Sequence, residues 1–361
     1  MDSDVWGLVL QELDVKDFLI MYLIGKEFTN YALNQKLNKK WIIKVKTENI
    51  NKLNQLNGNC KIINLYFDLD LYENNTISND CIKELTNIIS LDLWHNNTIT
   101  DNCVEGFDLT NLTLCYNDMI TNGCIRKLTK LTSLNLYGCN KITDEGIREL
   151  VNLTDLDLSC NDLVTNEGIN GLTNLTTLNL WKNDTITNEG IQGLINITSL
   201  NLQCNNMITN EGIQGLIHLT TLNLCYNNLI TNEGIEGLNL TNLDMRENNI
   251  ITDTCIKILT RLTHLDLTFV EQITDEGIKG LTCLTCLNLM YNNTITNEGI
   301  QGLINLTSLN LRNNFIITNE GIRGLINLTG LDLQNNSIIT NEGTKRLTKL
   351  CNIEVNHEFS Y

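Results

Sequence analysis

Histidine and cysteine are the residues of this chain that could hold a metal or act as a nucleophile, and their spacing is the first test. The chain has 13 Cys and 4 His. Cys283 and Cys286 have the spacing of a zinc-ligand pair or a redox motif, but no second pair accompanies them. The histidines lie at no ligand spacing, and no phosphate loop or nucleophile motif occurs. We therefore expect no catalytic residue, no metal site and no cofactor.

Acidic and aromatic residues, in contrast, recur at a fixed interval. An L-x-L pair returns every 22 residues, with two intervals of 21, from Leu69 to Leu331. We call the first leucine of each pair the anchor. The residue after the anchor is Asp or Asn in 12 of 13 copies, and the third and fourth residues after it vary freely. Trp, Tyr and Arg are frequent at these variable positions and dominate protein interface hot spots.

These variable positions, together with the acidic residues beside them, predict a protein-binding surface. A target with a basic patch would suit it. The residues that we expect to contact the target are Trp94, Tyr116, Tyr137, Asp157, Trp181, Lys182, Tyr226, Asp244, Arg246, Asp266, Phe269, Tyr291 and Arg312.

The elements that position these residues follow from the same repeat. Alternation at period two predicts that each L-x-L pair is a short strand of a parallel sheet, with the leucines buried and the residue between them on the concave side. Asn stands at the fifth position after the anchor in 11 of 13 copies. A buried amide there can bond the turn that leaves the strand. Cys139 and Val270 interrupt this series.

Each strand is followed by the signature of a short helix. Thr or Ser at the ninth position and Asn or Asp at the tenth are typical of helix N-caps. The twelfth position is Gly in nine copies and Cys in four, which predicts a close contact between helix and sheet. The four cysteines are Cys81, Cys103, Cys124 and Cys255, and we interpret them as packing residues.

The full pattern, L-x-x-L-x-L-x-x-C/N-x-x-I-T-D/N-x-G-I-x-x-L, is seen in residues 131–150. It resembles the cysteine-containing class of leucine-rich repeat. That resemblance implies an α/β solenoid with a curved parallel sheet inside and short helices outside. About 13 repeats and a final strand at Ile353 would occupy residues 65–361.

Residues 1–38 lie outside the repeat and show apolar residues at helical spacing. They resemble the F-box motif, the helical segment that docks on Skp1 in cullin-RING ubiquitin ligases. The family's opening Leu-Pro falls on Met1-Asp2, and its second proline falls on Lys16. The residues that the resemblance assigns to Skp1 binding are Val5, Val9, Leu10, Leu13, Asp17, Phe18, Leu19 and Phe28. The alternative is that residues 1–38 only cap the array.

Residues 39–64 are expected to form a linker and irregular capping segment. The net charge of the chain is −17, which argues against nucleic acid or an anionic membrane as the main partner. No apolar run approaches a membrane span, and the N-terminus lacks the basic start of a signal peptide. We expect a cytoplasmic or nuclear protein with reduced thiols.

The function that these observations favour is that of a substrate-recognition adaptor of an SCF-type ubiquitin ligase. Residues 1–38 would bind Skp1, and the concave face of the repeats would bind the target. The alternative is a stand-alone leucine-rich-repeat scaffold or inhibitor with a helical N-terminal cap. An enzyme is a third hypothesis, for which the repeats offer no catalytic constellation.

Overall fold

The computed structural model describes residues 41–46, 65–83 and 88–354. They belong to two compact units, Met1–Asn174 and Leu175–Tyr361, called unit 1 and unit 2 below. The F-box-like segment, residues 1–38, lies outside the described residues. None of the helices in the described ranges is long and apolar enough to cross a membrane.

Unit 1 contains a parallel sheet whose strands pair in chain order. Its described strands are β1 (Trp41–Lys46), β2 (Leu65–Asp70), β3 (Ile88–Asp92), β4 (Asn111–Thr113), β5 (Ser133–Asn135) and β6 (Asp155–Asp157). Its described helices are α1 (Asn79–Ile82), α2 (Asp101–Val104), α3 (Asn122–Ile125), α4 (Asp144–Ile147) and α5 (Asn166–Ile169).

Unit 2 repeats the same alternation of strand and helix, again with parallel pairing. Its strands are β7 (Thr177–Asn179), β8 (Ser199–Asn201), β9 (Thr221–Asn223), β10 (Asn242–Asp244), β11 (His264–Asp266), β12 (Cys286–Asn288), β13 (Ser308–Asn310), β14 (Gly330–Asp332) and β15 (Asn352–Glu354). Its helices are α6 (Asn188–Ile191), α7 (Asn210–Ile213), α8 (Asn232–Ile235), α9 (Asp253–Ile256), α10 (Asp275–Ile278), α11 (Asn297–Ile300), α12 (Asn319–Ile322) and α13 (Asn341–Thr344).

The core of most repeats is formed by the two leucines of the strand and the isoleucine that ends the helix. Leu200, Leu202 and Ile213 are at most 1% exposed. Between the leucines, Asn201 is half-buried on the other side of the strand. The predicted alternation is therefore confirmed, and one-turn helices this short depend on packing because isolated helices of a few residues are unstable in water.

The asparagines at the fifth position form a buried ladder that joins consecutive repeats. The Asn205 Nδ2 atom donates to the carbonyl of Asn183 at 2.8 Å. Its Oδ1 accepts from the backbone N–H of Met207 and Ile208, at 3.0 and 2.9 Å. Each amide thus closes its own turn and also satisfies a carbonyl of the preceding repeat, so the predicted role is confirmed and extended.

The threonines do stand at the N-caps, but their side chains do more than cap. In five helices the hydroxyl accepts a backbone N–H two residues on. The residue that follows it is the first residue of the helix, and its side chain reaches the next repeat. Asn210 donates to the Thr231 hydroxyl at 2.8 Å and accepts the Thr231 N–H at 2.9 Å. The expectation that these amides cap their own helices is corrected accordingly.

Glycine at the twelfth position makes room for that same side chain. A Cβ at Gly212 would lie 2.6 Å from Asn188 Oδ1 and 3.0 Å from Ile208 Cγ2. The close contact is therefore with the preceding helix and not with the sheet, which corrects the sequence prediction. Where Cys replaces Gly, the thiol is small enough to fit. Cys103 and Cys255 are buried and donate to the carbonyls of Asn79 and Asn232.

Residues 41–46 differ from the expected linker. Trp41–Lys46 is a strand that pairs in parallel with Leu65–Asp70, with Lys46 opposite Asp70. The segment expected to connect two regions therefore contributes the first described strand of the unit 1 sheet. Residues 47–64 lie outside the described ranges.

Candidate functional site

The sheet face is the surface formed by the residues one, three and four positions after each anchor. The fourth of these adopts a left-handed backbone in all 13 copies, with a φ of 50–57° in 12 non-glycine residues and 59° at Gly138. Side chains in this conformation cost on the order of 1 kcal/mol each. The next strand holds the turn in place, as when the His95 N–H donates to the carbonyl of Cys115 at 3.0 Å. Sequence reasoning missed this turn because its usual signal, glycine, is present once.

Five rings on the sheet face of unit 1 touch one another and are called the aromatic cluster: Tyr72, Trp94, His95, Tyr116 and Tyr137. Tyr72 and Trp94 meet edge to face at 5.3 Å between centroids, His95 and Tyr116 stack at 4.9 Å, and Tyr116 meets Tyr137 at 5.0 Å. Tyr72 and Tyr116 are 47% and 39% exposed. The structure therefore brings three predicted target-binding residues together with His95 and Tyr72, which were not among them.

Gly138 has a specific part in this cluster. A Cβ at that position would lie 2.5 Å from the Cε1 atom of the Tyr116 ring. The glycine thus combines the left-handed turn with the space into which Tyr116 extends towards Tyr137.

Carboxylates lie beside the aromatic cluster. Asp70 Oδ1 accepts the Tyr72 N–H at 3.0 Å, and Asp92 Oδ1 accepts the Trp94 N–H at 2.9 Å. Burial raises the pKa of Asp92, with further contributions from the charges of Asp70 and Asp68. Desolvation also raises the pKa of Asp155. The surface consequently concentrates negative charge that is only partly solvated.

Unit 2 places an arginine against its carboxylates. Arg246 Nε is 3.0 Å from both carboxylate oxygens of Asp244, and its Nη2 is 2.7 Å from Asp244 Oδ2. The Arg246 Nε also lies 3.9 Å from Asp266 Oδ2. The hydrogen bonds that Arg246 donates to Asp244 raise the pKa of Arg246, while burial raises the pKa of Asp266. Arg246 therefore partly neutralises Asp244 and Asp266, whose predicted contact with a target stays a prediction.

The predicted aromatic residues of unit 2 form separate contacts. Phe269 and Tyr291 stack at 4.4 Å, and both are exposed. The Tyr226 hydroxyl donates to Glu247 at 3.3 Å, and Lys182 lies 5.1 Å above the Trp181 ring. Beside them, a groove of about 460 Å³ crosses β9–β13. Arg312 is half-buried on the same face. In unit 1, the carboxylate of Asp157 accepts the backbone N–H of Ser159 at 2.9 Å.

Of the four cysteines predicted to pack, Cys103, Cys124 and Cys255 are buried and Cys81 is half-buried. Burial raises the pKa of Cys103 and Cys124 to about 12 and that of Cys255 to about 11. Such thiols carry little thiolate at neutral pH and are poor nucleophiles. Cys283 is exposed and Cys286 half-buried. Within the described part of the chain, no group of three or more His, Cys, Asp or Glu is arranged to hold a metal ion.

Comparison with known families identifies the repeating unit. A family model for the leucine-rich repeat matches residues 127–151, 149–172, 171–195, 193–217, 215–238, 259–282, 280–304 and 302–326. These segments are leucine-rich repeats. The sheet face described above is therefore the strand side of a leucine-rich-repeat array. No curated protein sequence matches the chain.

Solved structures share the leucine-rich-repeat fold. An internalin from Listeria monocytogenes is 26% identical, with a TM-score of 0.55 over 78% of this chain and 83% of its own. A chain of the Rad7 and Elc1 complex from yeast is 18% identical, with a TM-score of 0.53 over 94% and 98%. A chain of the Toll–Spatzle complex from Drosophila is 16% identical, with a TM-score of 0.55 over 92% and 53%.

Proposed function

We propose that this leucine-rich-repeat protein holds a target protein on its sheet face and acts as the substrate-recognition adaptor of an SCF-type ubiquitin ligase. The supporting observation is the contrast between a repeated scaffold and a varied surface. Asn, Gly and Leu recur because they build the turn, the helix contact and the core, whereas nothing in those contacts requires the rings of the aromatic cluster. Clustered, partly exposed aromatic residues are typical of protein-binding anchors.

The ligase half of the proposal rests on the resemblance of residues 1–38 to the F-box motif. Skp1 would bind an apolar helical surface that includes Leu10 and Phe18. The chain itself would perform no catalysis, and other ligase subunits would transfer ubiquitin. Complexes such as Rad7 with Elc1 and Toll with Spatzle are consistent with a fold that is used to bind other proteins. We place this role in the cytoplasm or nucleus.

A direct titration of the full chain with Skp1 tests the ligase half. Leu10→Asp together with Phe18→Asp should abolish binding, since burying two charges in an apolar contact is costly. Asn34→Asp with Gln35→Asp makes the same change of charge outside the matched motif and should leave the affinity unchanged. Circular dichroism of each variant should show that the repeats remain folded.

Absence of binding between the parent chain and Skp1 would overturn the adaptor role. The stand-alone scaffold would then remain, since the described residues of the sheet face all belong to the repeats. A target that still bound the chain without Skp1 would be the result expected from that alternative.

A further inference from the structure

Two pairs of aspartates occupy the same register in the two units. Asp70 on β2 is directly opposite Asp92 on β3, and Asp244 on β10 is directly opposite Asp266 on β11. All four residues immediately follow an anchor. Like charges on directly opposite residues of neighbouring strands repel each other, so each pair favours a bound cation.

In unit 2 the chain supplies that cation. Arg246, three positions after the anchor Leu243, binds Asp244 with three contacts of 2.7–3.0 Å and lies 3.9 Å from Asp266. A planar guanidinium suits this geometry because its N–H groups match a carboxylate in a forked arrangement. Arg246 thus shows how a guanidinium fits an aspartate pair of this fold.

In unit 1 the equivalent position is Tyr72, which carries no positive charge, and Lys46 on β1 is opposite Asp70 on the side of β2 away from β3. Neither Lys nor Arg occurs one residue before or one, three and four residues after the anchors from Leu69 to Leu156. In the described residues, the second carboxylate oxygens of Asp70 and Asp92 accept no protein hydrogen bond. Ion pairs of unit 1 join residues of the helices and their loops, as with Lys127 and Glu105 at 2.9 Å.

Aromatic rings lie beside the two aspartates and could contact the flat face of a guanidinium bound to them. Tyr72 and Trp94 follow Asp70 and Asp92 by two residues and meet edge to face at 5.3 Å. The exposed rings of His95 and Tyr116 continue this surface. An arginine side chain stacks on such rings and bonds carboxylates at the same time, and the stacking is favourable where water is partly excluded.

We propose that Asp70, Asp92 and the aromatic cluster form a binding site for an arginine side chain of a partner protein. The proposal deepens the proposed function, on which it rests, by naming the chemistry of the target. The partner's guanidinium occupies the place in unit 1 that Arg246 occupies in unit 2, between two carboxylates and against the rings of Tyr72 and Trp94.

A peptide titration of the full chain tests the site. The probe is acetyl-Gly-Arg-Gly-Arg-Gly-amide, followed by NMR through the Trp94 indole N–H signal. Saturable shifts are expected, and a peptide with citrulline in place of both arginines should bind at least about tenfold more weakly, because it keeps the shape but loses the charge. Equal binding of the two peptides would overturn the proposal.

Variants separate a specific site from general attraction to an acidic protein. Asp70→Asn with Asp92→Asn should weaken arginine-peptide binding by at least about tenfold. Asp118→Asn with Asp162→Asn removes the same charge from exposed loops of unit 1 and should change the affinity less than about twofold. Equal losses from the two double variants would show that only net charge matters and would overturn the site.

Tyr72→Arg gives an independent test in which the chain supplies its own guanidinium. Tyr72 is exposed, so the substitution leaves the core intact. The variant should lose peptide binding and show a higher thermal midpoint, whereas peptide binding equal to that of the parent would overturn the site. A protein target that binds the chain unaffected by Tyr72→Arg would overturn the arginine site alone. Absence of any target on either sheet face would instead overturn the proposed function.

Discussion

The sheet face is the part of each repeat where individual residues oppose the stability of the scaffold. Left-handed Tyr116 and Tyr226 carry strained backbone, with φ near 50° and 54°. Asp92 carries a charge whose solvation is reduced and which lies among other carboxylates. Costs of this kind persist where the surrounding structure enforces them, and they are concentrated at functional surfaces. In these repeats the parallel hydrogen bonds to the next strand enforce them.

The raised pKa of Asp92 gives a prediction about charge on this surface. Replacing Asp70 by Asn removes a charge that raises the pKa of Asp92, so that pKa should fall towards the ordinary value of 3.8. Carboxyl NMR titration measures the shift, and Asp118→Asn is the control. An Asp92 pKa unchanged by Asp70→Asn would show that the two carboxylates do not interact.

The same shift fixes the sign of a pH effect on stability. Because the folded pKa of Asp92 lies above the unfolded value, the folded state binds the proton more tightly and ionisation lowers the free energy of unfolding. The loss of stability is fully present at pH values above the raised pKa of folded Asp92. It disappears as the pH falls through that pKa to below the unfolded value of 3.8. Asp92→Asn should therefore raise Tm at neutral pH and have a smaller effect at about pH 3.

At the scale of the element, the link between repeats matters more than the strand or helix alone. The strands from β4 onward have three residues each and the helices four, too few to bury enough apolar surface to be stable by themselves. The Asn ladder, the Thr–Asn contacts between helices and the anchor leucines all join one repeat to the next. Stability is therefore expected to be local, with each repeat depending on its neighbours.

Position five offers matched substitutions in unit 2. Asn205→Leu leaves the Asn183 carbonyl and the Ile208 N–H without partners and should lower local stability by about 1–3 kcal/mol. Val270→Asn extends the ladder at a natural interruption and should raise local stability by about 1 kcal/mol. Hydrogen exchange of the backbone amides in the flanking strands measures each effect. Exchange should be faster than in the parent chain for Asn205→Leu and slower for Val270→Asn, and equal exchange in both variants would contradict the role of the ladder.

The extent of sequence prediction differs between scaffold and surface for a physical reason. The anchors, the Asn ladder and the small residue before the last residue of the helix follow from patterns that recur in most copies, and the structure confirms their positions. The partner of Gly212 was predicted incorrectly because the contact reaches into the preceding helix, which periodicity within one repeat cannot reveal. The contacts within the aromatic cluster and those of Arg246 depend on which side chains meet on the sheet face. Tyr72 stands three residues after its anchor, as Trp94 does, so that spacing is the signal that could have found it.

For the whole molecule, the distribution of charge is more informative than the net charge of −17. Residues 1–60 carry 8 Lys and 7 acidic residues, so the excess acid lies in the repeats. Among the sheet-face residues of unit 1 that follow the anchors from Leu69 to Leu156 there is no Lys or Arg, and Lys46 of β1 is opposite Asp70, whereas the sheet face of unit 2 includes Lys182, Arg246 and Arg312. The two units therefore offer different chemistry: an acidic aromatic surface in unit 1 and a mixed surface with stacked rings in unit 2.

This difference predicts how a target recovered with the chain will respond to substitutions in each unit. Asp70→Asn with Asp92→Asn should slow association and reduce its dependence on salt, because long-range attraction is lost. Tyr226→Ala or Phe269→Ala should instead speed dissociation. The loss of binding free energy should be about 2 kcal/mol for a ring that acts as an anchor. Stopped-flow kinetics at several salt concentrations separates the two effects.

Ile217→Asn, a substitution of an exposed residue on the helix side of unit 2, is the control. An acidic target, or a control variant that weakens binding as much as the sheet-face variants do, would show that the sheet face is not the binding surface.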